Sequence, residues 1–405
     1  MSTPVFDVDA LLADRSRNVI VCCGSGGVGK TTTAAALAVR AADHGRRVVV
    51  LTIDPARRLA QAMGLHELDN AARRVAGVGG VDGTIGKDGH DGGLLDAAML
   101  DMKSTFDELI VNHARPDKAQ QILANPVYQT LSSSFAGTQE YMAMERLGQL
   151  LAEAESTGSH DLIIVDTPPS RSALDFLDAP DRLASFLDGR FVRLLAAPTR
   201  GPLRLLTAGF SAVTGTLTKL LGSQLLADVS SLAAALDTVF GGFRARAERT
   251  YAVLQRPSTG FVVVATPDRD ALREASYFTR RLAEEQMPLV GLVLNRMATS
   301  FAPLDLDRTR ITLAGLPESF SDADGAGDGP ASEPVGLDLT RRLLQLHAEH
   351  STVRDAQQAH ADRFAAAHLD LPTAFVPGLP SDVHDLDGLR LVGAALAGDT
   401  LMTSV

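Results

Sequence analysis

The chain has 405 residues, 45% of them apolar, so it can bury a large core. Its length fits roughly two or three domains, or one large α/β sheet with insertions. A net charge of −11 with no dense run of Lys or Arg argues against a nucleic-acid groove.

Nothing near Met1 resembles a signal peptide, because Met1 to Ser16 has four charged groups and no apolar segment. Leu205 to Thr218, the longest uncharged apolar stretch of interest, is too short to span a bilayer. The expectation is a cytoplasmic chain, at most peripheral to a membrane.

Asn18 to Cys23 reads as a short apolar strand, and Thr31 to His44 as an alanine-rich helix. Between them Gly24, Ser25, Gly26, Gly27, Val28, Gly29, Lys30 and Thr31 spell G-x-x-x-x-G-K-T. Strand, glycine loop and helix together are the context of a P-loop that binds ATP or GTP. Backbone N–H groups close around the phosphates, helped by the helix N-terminus. Lys30 is the candidate for the β- and γ-phosphates, Thr31 for Mg²⁺, and Thr32 for a further nucleotide contact. Cys22 and Cys23 are the only cysteines, and strand neighbours point to opposite faces. They therefore read as small core residues in a reducing compartment, not as a shared metal site.

Val48 to Ile53 reads as the second strand and ends in Thr52-Ile53-Asp54-Pro55-Ala56. A carboxylate there could position or deprotonate an attacking water, or Asp54 could cap a following helix with Pro55 at its first position. Gly77 to Gly93 has the composition of a mobile loop, and Lys103 to Leu151 reads as helical. Leu162 to Asp166, four apolar residues and an aspartate, has the form of a Walker B strand, with Asp166 a candidate for the Mg²⁺ shell. A second helical region, Asp181 to Gln255, contains a poorly charged insert, Val192 to Phe240.

Phe261 to Ala265, Leu289 to Leu294 and Thr373 to Val376 complete the strands, and Glu318 to Pro334 reads as a second loose loop. These runs mostly lack alternation, as parallel strands buried on both faces do. The pattern predicts a doubly wound, mostly parallel α/β sheet: one P-loop domain over 1–405, with a helical subdomain from 103–151 and 181–255. The P-loop, Asp54, Asp166, Thr266 and Asn295 all fall at strand C-terminal ends, where such sheets bind ligands. No internal repeat is visible.

GGVGKTT, TIDPA and DTPPSRSALDFLDAP together resemble the deviant-Walker P-loop ATPases that dimerise face to face. DPA after the second strand and a long apolar insert after DTPP resemble, within them, the arsenite-pump ATPases and their eukaryotic relatives, the guided-entry targeting factors for tail-anchored membrane proteins. The likeness covers Gly137-Thr138-Gln139-Glu140, Ala265-Thr266-Pro267-Asp268, Val293-Leu294-Asn295-Arg296 and Val376-Pro377-Gly378-Leu379-Pro380 as well. It implies Mg²⁺-dependent ATP hydrolysis, with Asp54 the switch I catalytic aspartate and Asp166 the start of switch II. Asn295 would bond adenine through its amide, under a loop containing Pro377 and Leu379.

Three departures qualify the resemblance. The family carries a second lysine after its first P-loop glycine, which crosses to the partner's phosphates; here that position is Ser25. Losing such a charge costs roughly 10³–10⁵ in rate, by analogy with arginine fingers. A homodimer would lack the lysine in both sites, whereas a heterodimer with a lysine-bearing paralogue would keep one complete site, on this chain. The alternative is that Ser25 is tolerated and another donor serves.

No cysteine follows Cys23, so both the zinc-binding pair of the targeting factors and the thiolates of arsenite binding are absent. His347, His350, His360 and His368 do not all share one helix face, and read as solvated surface residues. The insert has no methionine, unlike the client groove of the targeting factors, and either faces a hydrophobic client or membrane or packs on itself. Rival readings are a slow nucleotide-gated chaperone or targeting module, the energising subunit of a membrane efflux pump, and a P-loop ligase or kinase.

Overall fold

The computed structural model describes residues 4–54, 58–65, 68–79, 93–125, 128–129, 139–168, 243–300, 302–316 and 334–399. In chain order, α1 (Val8–Ala13) leads to β1 (Val19–Cys23), α2 (Lys30–Asp43), β2 (Arg47–Thr52), α3 (Arg58–Ala62) and β3 (Arg73–Arg74). β4 (Leu94–Met99) precedes three helices, α4 (Met102–His113), α5 (Pro116–Leu123) and α6 (Gln139–Thr157), and then β5 (Leu162–Asp166). After α7 (Phe243–Leu254) come β6 (Thr259–Ala265), α8 (Arg269–Glu284), β7 (Leu289–Met297), α9 (Leu306–Gly315), α10 (Pro334–Ala367), β8 (Thr373–Pro377) and α11 (Leu386–Leu396).

The eight strands form one sheet in the order β3-β4-β2-β5-β1-β6-β7-β8, parallel except where β3 pairs with β4. Side chains of β1 alternate between the two faces: Val19, Val21 and Cys23 join one core cluster, Ile20 and Cys22 the other. Both cysteines are buried and free, on opposite faces as strand geometry requires. One face is covered by α4, α5, α6 and α8, the other chiefly by α2 and α11. The small side chains of α2 let its helix sit close to its neighbours, with Ala34, Ala36, Ala38 and Ala41 all buried.

The far end of the sheet is tied by Arg46, buried between α2 and β2. Its guanidinium donates to Asp161 Oδ1 at 2.6 Å and to the carbonyls of Leu12, Arg17 and Asp161 at 2.9, 2.8 and 2.9 Å. The strand starts are thereby joined away from the ligand end, and a buried guanidinium with these partners is not left uncompensated.

The predicted sheet is present, with two strands more than were read. β4 escaped because LLDAAM has a carboxylate and two alanines where a β-branched run is expected. Asp96 is tolerated in it because His160 Nε2 lies 2.8 Å from one carboxylate oxygen and Arg74 Nε 2.6 Å from the other. The predicted helical region 103–151 corresponds to α4, α5 and α6, and α6 runs past it to Thr157.

Residues 243–255 are described of the second helical region, with Phe243–Leu254 forming α7; the insert 192–240 lies outside the described residues. Most of the two loose segments lies outside them too, and Pro334, placed in the second, begins α10. The four histidines are not freely solvated. All are partly buried: His347 contacts the Leu304 carbonyl at 3.1 Å, His360 the Pro267 carbonyl at 3.1 Å, and His368 the Phe364 ring at 4.4 Å.

Candidate nucleotide site

β1 runs straight into the glycine loop. Gly24 has φ +152°, and a Cβ there would lie 2.1 Å from the Val264 carbonyl oxygen on β6. Gly29 has φ +96° and caps α2 without any side-chain bond to the helix N–H groups. A Cβ on Gly29 would meet the Asn295 side-chain nitrogen at 2.2 Å. Both positions require glycine for space as well as for backbone conformation. The first turn of α2 thus presents its N–H groups and positive dipole end without a side-chain acceptor of its own.

Lys30 is 5% exposed and donates from Nζ to the Ser25 carbonyl at 2.8 Å. Burial lowers its pKa, while the negative charges of Asp166 and Asp54 act in the opposite direction. Asp166, at the end of β5, is fully buried. Burial raises its pKa to about 6, opposed by the hydroxyls of Thr31 and Thr52 and by Lys30. The Thr52 hydroxyl donates to Asp166 Oδ2 at 2.9 Å, and Asp166 Oδ1 is buried with no hydrogen-bond partner. A bare buried carboxylate oxygen near a threonine hydroxyl is a donor set that suits a small, hard divalent cation, and the residues present fit Mg²⁺.

This carboxylate yields a stability prediction. Its folded pKa lies above the unfolded value, so its contribution favours the folded state at low pH and is lost as pH rises through about 6. At neutral pH the buried charge is a cost. Asp166→Asn is therefore expected to raise the melting temperature of the nucleotide-free protein at pH 7.5 by a few degrees, with the gain vanishing near pH 4. Differential scanning fluorimetry across that range checks it.

Asp54 is half-buried just beyond β2. Its backbone N–H donates to Thr52 Oγ1 at 3.2 Å, and the same hydroxyl lies 3.3 Å from its carbonyl. Residues 55–57 lie outside the described residues, and with them the alternative that Asp54 caps a following helix; α3 is described from Arg58. Gln139, at the start of α6, donates to the Ile53 carbonyl at 2.8 Å, and Ile53 N–H donates to the Asp166 carbonyl at 2.9 Å. Thr52 and Gln139 were not singled out for a role in the sequence; only their place in TIDPA and GTQE hinted at one.

A cleft of about 1040 Å³ opens over these groups. Gly27, Gly29, Lys30, Thr31, Thr32 and Asp54 line it together with Asn295, Arg296, Pro377, Gly378 and Leu379. Leu59, Gln61 and the segment Ser381 to His384 also line it and were not foreseen. Asn295 Nδ2 donates to the Val28 carbonyl at 2.9 Å, and its Oδ1 accepts from Arg296 N–H at 2.9 Å. One amide hydrogen and one acceptor lone pair remain for a ligand. Gly378 N–H donates to the Met297 carbonyl at 2.9 Å, holding the 377–379 loop against β7.

The glycine loop has two sides. Ser25 and Gly26 do not line the main cleft; with Gly27 and Val28 they line a second one of about 590 Å³. Its other walls include Thr266, Asp268, Asp270, Glu274 and Arg296, so carboxylates predominate among its charged groups. Asp268 caps α8 through Ala271 N–H at 2.9 Å and is bonded to the Thr266 hydroxyl.

Residues 17–301 match the anion-transporting ATPase family. The chain is 27% identical over 308 residues to "ATPase GET3" of Podospora anserina, covering 73% of this chain and 80% of that protein. It is 26% identical over 364 residues to "ATPase GET3B" of Arabidopsis thaliana, covering 85% and 75% respectively. "ATPase GET3C" of Arabidopsis thaliana is 24% identical over 304 residues, covering 71% and 68%. With the match spanning most of the chain and the glycine loop at the end of β1, the chain belongs to the anion-transporting ATPase family.

Proposed function

We propose that the chain hydrolyses ATP in the main cleft and uses the cycle of closure and opening to act on a partner. Hydrolysis of ATP is the activity of its family. The observation that carries the site is the convergence of Lys30, Thr31 and Asp166, with the orphaned Asp166 Oδ1, below the open first turn of α2. Loop N–H groups and Lys30 hold the phosphates. Mg²⁺, when bound by Thr31 and Asp166, neutralises charge on the phosphates. Asp54 orients the attacking water and accepts its proton, while Asn295 and the Pro377–Leu379 loop hold the base.

A second chain completes the site, as a homodimer or as a heterodimer. Ser25 supplies no cation to cross to a partner's phosphates, so a lysine-bearing paralogue is the favoured second chain: its lysine would reach the phosphates held on this chain. The helical subdomain is the proposed output, a surface for a hydrophobic client or a membrane protein. Among the described residues no helix is long and apolar enough to cross a membrane.

The test is steady-state Mg²⁺-dependent ATP turnover of the purified chain. Lys30→Ala is expected to abolish turnover, and nucleotide titration should show ATP affinity lowered at least roughly tenfold. A Lys30→Ala protein that turns over like the parent would move the active site elsewhere.

A further inference from the structure

The C-terminal half of α10 beds on the body of the protein through Ala361 and Phe364, both buried in the core cluster that includes β7 and α8 residues. At the helical repeat, the same face continues toward the N-terminus through Leu339, Leu343, Leu346 and Val353. There the four side chains are 55, 56, 62 and 52% exposed. The opposite side of α10 is covered by α9 and the residues just before it, through Arg310 to Thr352 at 3.2 Å and His347 to the Leu304 carbonyl at 3.1 Å. The helix thus carries one covered flank and one bare apolar stripe about 20 Å long.

The stripe has the spacing of a helix-pairing seam. Positions 339, 343, 346, 350 and 353 alternate steps of four and three; the four apolar members are exposed, and His350, the one polar member, is half-buried. The next position, Gln357, accepts from Ala298 N–H at 2.7 Å, so the seam ends where the helix meets the body. We propose that this stripe pairs with the same stripe of a second copy of the chain, α10 against α10 about a two-fold axis.

Charge favours a second copy. The chain carries −11 overall, which opposes self-association through most of its surface. α10 is balanced: Asp338, Glu349, Asp355 and Asp362 against Arg341, Arg342, Arg354 and Arg363. Beside the stripe, Asp338–Arg342 at 2.9 Å and Arg354–Asp355 at 2.8 Å are closed within the helix. Two such faces meet without net repulsion, as an isologous interface requires. The seam stops one turn short of the second cleft, which Gln357 lines, and none of its five positions lines either cleft, so the pairing does not require nucleotide.

Sedimentation equilibrium of the nucleotide-free full chain, at low to high micromolar concentration, tests it. The parent is expected to be dimeric. Leu343→Glu with Leu346→Glu should weaken association by roughly a hundredfold or more, with ATP affinity unchanged. Leu346→Cys should be trapped as a covalent dimer by a short thiol-to-thiol linker, whereas Gln345→Cys, off the seam, should not. The native cysteines are buried and do not compete.

A parent that stays monomeric, a dimer that survives the double substitution, or equal trapping at positions 345 and 346 would overturn the proposal. So would a monomer whose melting temperature falls on the double substitution without a change in mass, since this chain's own residues would then cover the stripe. Should the double variant not fold, the two cysteine variants decide.

Discussion

Ser25→Lys is expected to raise the ATP turnover of the isolated chain by roughly 10³-fold or more. Position 25 lines the second cleft, on the side of the glycine loop away from the nucleotide cleft. Its structural contribution is made by the backbone: the Ser25 carbonyl accepts from Lys30 Nζ at 2.8 Å, a bond that a new side chain leaves intact. A lysine there supplies, across a closed pair of chains, the cation that serine lacks, and charge stabilisation of the transferring phosphoryl group depends steeply on such a cation. The measurement is steady-state turnover of the parent and Ser25→Lys proteins, with Lys30→Ala as the blank. A parent that already turns over at the Ser25→Lys rate would end the reading of a lysine-bearing partner.

Asp54→Asn is expected to lower turnover by roughly 10²–10⁴ while leaving ATP affinity unchanged. The hydrogen bonds between Asp54 and Thr52 use the Asp54 backbone N–H and carbonyl, so asparagine keeps them. What disappears is the negative charge at the cleft wall and the capacity to take a proton from water. Lys30 and the loop N–H groups, the proposed holders of the phosphates, are untouched. Equilibrium ATP binding and single-turnover hydrolysis, measured side by side, separate the two effects. Normal hydrolysis by Asp54→Asn would remove Asp54 from its catalytic role.

What could be read in advance was the chemistry written in consecutive residues. The glycine loop and Lys30 lie in one short run, and Asp166 closes an uninterrupted apolar strand, so local pattern placed them at the strand ends where the structure has them. Features that depend on distant partners were not legible. β4 was hidden because Asp96 is made acceptable by His160 and Arg74, which no local rule connects to it. Gln139 is 86 residues from Ile53 in sequence, and only folding brings its amide to that carbonyl. The division of the glycine loop between two clefts, with Ser25 and Gly26 on one and Lys30 to Thr32 on the other, follows from how β6 and α8 flank it. Nor did composition foretell the bare stripe of α10, because exposure is a property of what packs against a helix.

Thr52 is the smallest group in this arrangement and the most constrained. Its hydroxyl carries a single hydrogen and faces two acceptors, Asp166 Oδ2 at 2.9 Å and the Asp54 carbonyl at 3.3 Å, while it receives the Asp54 N–H at 3.2 Å. One hydrogen can fully satisfy one of them at a time. The ends of two neighbouring strands therefore compete for the same proton, and a displacement of either carboxylate-bearing residue changes what the other is offered. A single hydroxyl rotor, turning about one bond, is enough to couple the ends of β2 and β5.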